Sequence, residues 1–192
     1  MSNLCILPIA QYRTEYGLTA FLETGSEGGA GVDNGIRAGF AKLLSCEINE
    51  SRYKQCLERF RNDSRVSLFH GNSLDVLPAM LQQLKVDRCL FWLDAHLPPG
   101  LEKRAALQVP LREELGIISE HRDIRTDVFV IDDMVLYEPR LRNPGFNIQD
   151  WISDPENIVG MNEILGFFGN HIVHIDHRAE KLLVAFPQEG LL

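Results

Sequence analysis

The chain has 192 residues, with 19 Lys and Arg against 27 Asp and Glu, a formal charge of −8 at pH 7 and a sequence pI near 5.2. Hydrophobic residues make up 45% and charged residues 24%, which excludes a disordered chain and predicts one buried core, so residues 1–192 are expected to form a single domain. The acidic balance argues against a nucleic-acid grip, which needs Lys and Arg gathered into a positive patch, and points to small molecules or cations as partners.

The N-terminal stretch carries no basic region before its short apolar run, and no segment approaches the ~20 apolar residues that span a bilayer. No membrane partner is expected. Cys5, Cys46, Cys56 and Cys89 are scattered without a CxxC pair, the pattern of reduced thiols in a cytoplasmic protein.

Short apolar runs rich in β-branched or aromatic residues predict buried strands at Thr19–Leu22, Lys42–Cys46, Val66–Phe69, Arg88–Leu93 and Asp127–Ile131. Between them, Val32–Ala41, Glu50–Arg61, Leu74–Leu84 and Arg104–His121 carry apolar residues at helical spacing. Alternating strands and helices predict an α/β fold with a parallel, doubly wound sheet and right-handed crossovers. After Asp133 the composition turns to Pro, Arg and Asn and reads as a loop, with helical signals at Ile148–Ser153 and Glu156–Phe168. The apolar run Ile164–Phe168 offers either a core helix face or the surface of a homodimer. His171–Asp176 and Lys181–Phe186 read as an antiparallel hairpin at one edge of the sheet.

The first strand runs through Glu23 and Thr24 into a glycine-rich turn, Gly25 to Gly31, and then into a helix. Glycines there let the backbone approach a ligand, and the helix N-terminus offers free N–H groups, although a tight strand-to-helix connection explains the same residues. Gly25, Gly29 and Gly31 lack the GxGxxG spacing of a dinucleotide site. Glu47 ends the next strand, about twenty residues past the turn, where a carboxylate commonly holds a ribose diol; the alternative is that Glu47 or Asn49 caps the following helix. Asp94 follows the fourth strand, and Asp132 and Asp133 follow the fifth, at neighbouring positions on the carboxyl edge. Carboxylates gathered there repel unless a cation or bound protons relieve the charge, and their hard oxygens suit Mg²⁺ or Ca²⁺; the alternative is that they cap turns or face solvent.

On these residues the chain resembles the class I S-adenosylmethionine-dependent methyltransferases over most of its length. Glu23-Thr24-Gly25 with Gly29 and Gly31 is similar to that family's first motif, Glu47 to its ribose-binding acid, His70-Gly71-Asn72-Ser73 to the segment that touches adenine, and Phe91–His96 to the motif beside the methionine moiety. Asn72 stands where many members have Asp. The acidic residues resemble those of the metal-dependent O-methyltransferases of the catechol and macrocin types. The resemblance implies a Rossmann-like, mostly parallel seven-stranded sheet with an antiparallel C-terminal hairpin. It further implies S-adenosylmethionine held by Glu23, Thr24, Gly25, Gly29, Gly31, Glu47, Asn72, Ser73 and Asp94, and a divalent ion, Mg²⁺, on Asp94, Asp132 and Asp133. Methyl transfer to a hydroxyl of a small-molecule acceptor follows, with Asp94 catalytic and His96 a base or a loop histidine. Leu97–Lys103 and Val135–Asn147 are candidate lids. Strand alternation separates His171 and His177 from His174 and Asp176, which argues against a zinc site in the hairpin. Two other readings stay open: a nicotinamide-dependent oxidoreductase, for which GxGxxG and a parallel sixth strand are not evident, and a binding protein without catalysis.

Overall fold

The computed structural model describes residues 3–96, 109–150, 158, 160–177 and 182–188. The expected lid at 97–103, the start of the helix expected at 104–108, the helical signals at 151–157 and the hairpin turn at 178–181 lie outside the described residues.

Five strands run parallel: β1 (Ala20–Thr24), β2 (Lys42–Glu47), β3 (Val66–His70), β4 (Cys89–Leu93) and β5 (Val128–Ile131). The helices between them are α2 (Ala30–Ala38), α3 (Glu50–Phe60), α4 (Ser73–Leu84) and α5 (Leu111–His121), with α1 (Ile9–Glu15) before β1 and α6 (Met134–Tyr137) and α7 (Met161–Phe167) after β5. Two strands close the chain, β6 (His171–Asp176) and β7 (Leu182–Pro187). The order across the seven-stranded sheet is β3-β2-β1-β4-β5-β7-β6, and β7 is antiparallel to both its neighbours. The expected α/β architecture, including the antiparallel end, is therefore present.

Alternation along the strands divides the core in two. Leu22, Leu44, Cys46, Phe91, Leu93, Phe129 and Ile131 pack with Leu77 and Met80 of α4 and with Leu115 and Ile118 of α5. Phe21, Leu43, Leu90, Trp92 and Val130 pack on the other face with Val32 of α2 and Cys56 and Phe60 of α3. Trp92 is fully buried, a core residue.

Several boundaries differ from expectation. β1 extends through Glu23 and Thr24, because both side chains are buried rather than turned to solvent. The loop expected after Asp133 begins with a helical turn, α6, whose Met134, Leu136 and Tyr137 bury in the core; that burial overrides the polar composition further on. α1 has no counterpart among the expected elements, since only Ile9 of its seven residues is buried and the periodic signal is weak. In the apolar run near the C-terminus, Ile164 and Phe168 enter the core while Leu165 stays 39% exposed.

Candidate active site

The parallel register brings the ends of β1, β2, β4 and β5 side by side, because Thr24 lies opposite both Cys46 and Leu93, and Leu93 opposite Ile131. Ladder hydrogen bonds run one residue beyond the strands: Asp94 N–H donates to the Thr24 carbonyl and Asp132 N–H to the Leu93 carbonyl. Every sequence-derived site residue except Asn72 and Ser73 is thus delivered by these four strand ends, by the turn after β1 or by the start of α2, and those two follow β3.

The turn from β1 to α2 has Gly25 at φ 85°, and a Cβ there would stand 2.9 Å from the carbonyl oxygen of Asp94. Only glycine fits against the end of β4 in that conformation. Gly31, the second residue of α2, meets a different constraint: a Cβ would lie 1.7 Å from Oε1 of Glu23. Glu23 is 1% exposed and accepts a 2.5 Å hydrogen bond from the Ser45 hydroxyl, which meets the Ser26 hydroxyl at 2.6 Å. Burial pushes the Glu23 carboxyl up to about 8, so it is mostly protonated at neutral pH. From α3, Arg59 holds the Gly28 carbonyl and the Asp33 carboxylate, fixing the far side of the turn.

Glu47 closes β2 with both oxygens engaged: Oε2 accepts from Glu27 N–H and Oε1 from Asn49 N–H, each at 2.8 Å. Each oxygen keeps a further lone pair for an incoming donor. The cap of α3 is Asn49, whose side chain accepts from Arg52 N–H, so the capping alternative for Glu47 falls to its neighbour. After β3, the Asn72 side-chain oxygen accepts from Leu74 N–H as the cap of α4, leaving its amide N–H groups for a ligand. Ser73 is buried at the start of α4.

Beyond β4 and β5, Asp94, His96 and Asp133 each offer a ligand atom, and these atoms lie within 4.8 Å of one another. His96 Nδ1 sits 2.9 Å from Asp133 Oδ2 and 3.8 Å from Asp94 Oδ1. Asp132, expected as a ligand, lines the same pocket and is not in that group; its Oδ1 accepts from Asp133 N–H at 2.7 Å. Asp133 occupies the left-handed region at φ 52°, a conformation that costs energy outside glycine and that local hydrogen bonding makes tolerable for Asp. Its Oδ1 is buried with no hydrogen-bond partner among the described residues. Burial and the charges of Asp132 and Asp133 push the Asp94 carboxyl up to about 10. Within a pocket also lined by Leu93, Ala95 and Leu111, these groups leave room for about one water or ion.

Two further residues in that pocket, Glu114 and Tyr137, were not marked by the sequence reading. A signal existed for Glu114: it sits among Leu111, Leu115 and Ile118 on the apolar face of α5, where an acid is out of place. It is 1% exposed, and burial raises its carboxyl to about 7 while the Ser73 and Thr24 hydroxyls pull it back down. In the C-terminal hairpin, His171 is buried with Nε2 on the Asp127 carbonyl, whereas His174 is exposed, so these histidines do not converge.

No family model and no curated protein sequence matches the chain. Solved structures do. The S-adenosylhomocysteine-bound methyltransferase PaMTH1 of Podospora anserina aligns over 98% of this chain and 80% of its own, with TM-score 0.65 and 12% identity. The O-methyltransferase TomG of Streptomyces achromogenes, solved with S-adenosylmethionine, aligns over 94% and 78%, with TM-score 0.62 and 17% identity. The N-methyltransferase NodS of Bradyrhizobium japonicum aligns over 97% and 99%, with TM-score 0.53 and 11% identity. Sheet order, antiparallel end and these alignments agree: the chain has the fold of the class I S-adenosylmethionine-dependent methyltransferases.

Proposed function

We propose that residues 1–192 work as one S-adenosylmethionine-dependent methyltransferase domain that methylates a hydroxyl of a small molecule, with a divalent cation such as Mg²⁺ orienting the acceptor. The observation that carries this reading is the gathering of Asp94, His96 and Asp133 beside the glycine-rich turn, with a buried Asp133 oxygen that no donor among the described residues satisfies. A buried carboxylate oxygen without a donor is costly, and a cation bound there removes the cost.

When bound, S-adenosylmethionine supplies the methyl group, and a cation on Asp94, His96 and Asp133 supplies Lewis-acid stabilisation of the acceptor oxygen. The chain's own residues do the rest. Glu47, steadied by Glu27 and Asn49 N–H groups, presents its remaining lone pairs to a ribose diol. The turn Gly25 to Gly31, latched by Arg59, keeps backbone and no side chain at the closest approach to Asp94. The Asn72 amide N–H groups and the Ser73 segment border the adenine side. Asp132 orients Asp133 through its N–H. His96, where it is not engaged by a cation, is the group positioned to take the acceptor's proton.

Calorimetry with S-adenosylmethionine tests the reading: wild-type protein is expected to bind, and Glu47→Ala to lose most of the affinity. Absence of binding heat with wild-type protein removes the proposal. Methyl transfer that persists unchanged in EDTA removes the cation from it and leaves methyl transfer standing.

A further inference from the structure

We infer that Glu114 is a recognition carboxylate of this pocket and that the acceptor carries, beside the hydroxyl to be methylated, a primary ammonium group that Glu114 binds. The inference rests on the methyltransferase reading above and names the class of its acceptor, an amino alcohol.

Glu114 sits in the apolar face of α5, yet it lines the same pocket as Asp94, His96, Asp133 and Tyr137. Its two oxygens differ. Oε2 accepts from the Thr24 hydroxyl at 3.3 Å, a long hydrogen bond, and the Ser73 hydroxyl also acts on the carboxyl, but Oε1 is buried with no hydrogen-bond partner among the described residues. A carboxyl placed in a core without a full set of donors destabilises the fold, so this oxygen, on a residue that lines the pocket, suits a donor from outside the chain.

The charge of that donor follows from the surroundings. No Lys or Arg is among the described residues lining the pocket, whereas Asp94, Asp132, Asp133 and Glu114 all are. A divalent ion on Asp94, His96 and Asp133 answers the charge there, but Glu114 is outside that group. A second metal ion would need several oxygen ligands, and Glu114 offers one free oxygen. An ammonium needs only a few acceptors and carries the compensating charge. Its N–H groups would meet Oε1 of Glu114, and the burial that raises this carboxyl would be offset by the cation.

The test is a ligand-observed NMR titration of the full chain, with Mg²⁺ present, using 2-aminoethanol and ethane-1,2-diol, which differ only in the group at issue. Wild-type protein is expected to bind the amino alcohol at least about tenfold more tightly than the diol, as for a charge-assisted hydrogen bond to a buried carboxylate. Glu114→Gln, nearly isosteric, is expected to abolish that preference, and Glu114→Asp, which withdraws the carboxyl by one methylene, to reduce it while keeping the charge; melting curves confirm that both are folded. Equal binding of the two probes, no binding of either, or a preference that survives in Glu114→Gln overturns the inference. Calorimetry of S-adenosylmethionine with the same wild-type preparation reports on the methyltransferase reading separately.

Discussion

The carboxyl edge of the sheet has two acidic halves that are built in opposite ways. At the ends of β1 and β2, Glu23 and Glu47 are satisfied from within: Ser45 donates to one, and Glu27 and Asn49 N–H groups to the other. At the ends of β4 and β5 and on the neighbouring face of α5, Asp133 and Glu114 each keep a buried oxygen without a donor among the described residues, and Asp94 is pushed far above the ordinary carboxylate range. The first half is a finished scaffold whose shape must be right before a ligand arrives. The second gathers buried carboxyl groups that the described residues leave incompletely paired.

The sharpest way to separate the halves is Asp133→Asn, which keeps a residue tolerant of the left-handed conformation while removing the charge. The divalent-dependent methyl transfer proposed for this site is expected to fall by about a hundredfold or more, and the melting-temperature rise expected of wild-type protein in Mg²⁺ to be lost. An unchanged Mg²⁺ response would erase the contrast. In the first half the largest effect belongs to packing. Gly31→Ala drives a methyl into the Glu23 carboxyl and is expected to lower stability by about 1–3 kcal/mol in urea unfolding. In a Glu23→Ala background the same change is expected to cost much less, because the obstructing atom is gone; additive costs would contradict this account.

A smaller effect is electrostatic. The folded chain holds the Glu23 proton up to about pH 8, whereas the unfolded chain releases it around 4.5. The contribution of this group to stability is therefore fully present below pH 4.5 and is lost as pH rises through about 8. Glu23→Gln is expected to flatten that part of the stability profile, measured by denaturant unfolding across the interval. The smallest expected change is at Asn72, whose oxygen caps α4: Asn72→Ala should cost about 1 kcal/mol, while Asn72→Asp, which also caps, should cost little.

Much of this arrangement was readable before the structure, for a physical reason. Parallel strands buried on both faces appear as short continuous apolar runs, so β2 to β5 were found nearly to the residue, and strand-end residues in such sheets fall at one edge. That is why Asp94, Asp132 and Asp133 came out as neighbours. Which of them meet is a matter of side-chain direction: the ladder bond to Leu93 and the left-handed backbone at Asp133 bring Asp133 together with His96 and leave Asp132 as its hydrogen-bond partner. Glu114 was missed because an acid within a helical pattern reads as an ordinary polar position until its place on the apolar stripe is noticed. α6 was missed because one buried turn, Met134–Tyr137, is too short for periodicity to register against the Pro and Arg that follow.

The insertion of β7 between β5 and β6 has a consequence for biosynthesis. Chain order and sheet order disagree at that edge, so β6 leaves the ribosome before the strand that joins it to the rest of the sheet. Until Leu182–Pro187 emerges, the outer side of β5 presents unpaired peptide groups and β6 has no partner, a state open to wrong pairing with other nascent chains. Closing the sheet requires Ala185 to find Phe129 across more than fifty intervening residues, a slow, long-range step. The half of the candidate site formed at the end of β5 therefore matures last, after the β1–β2 scaffold has had time to set.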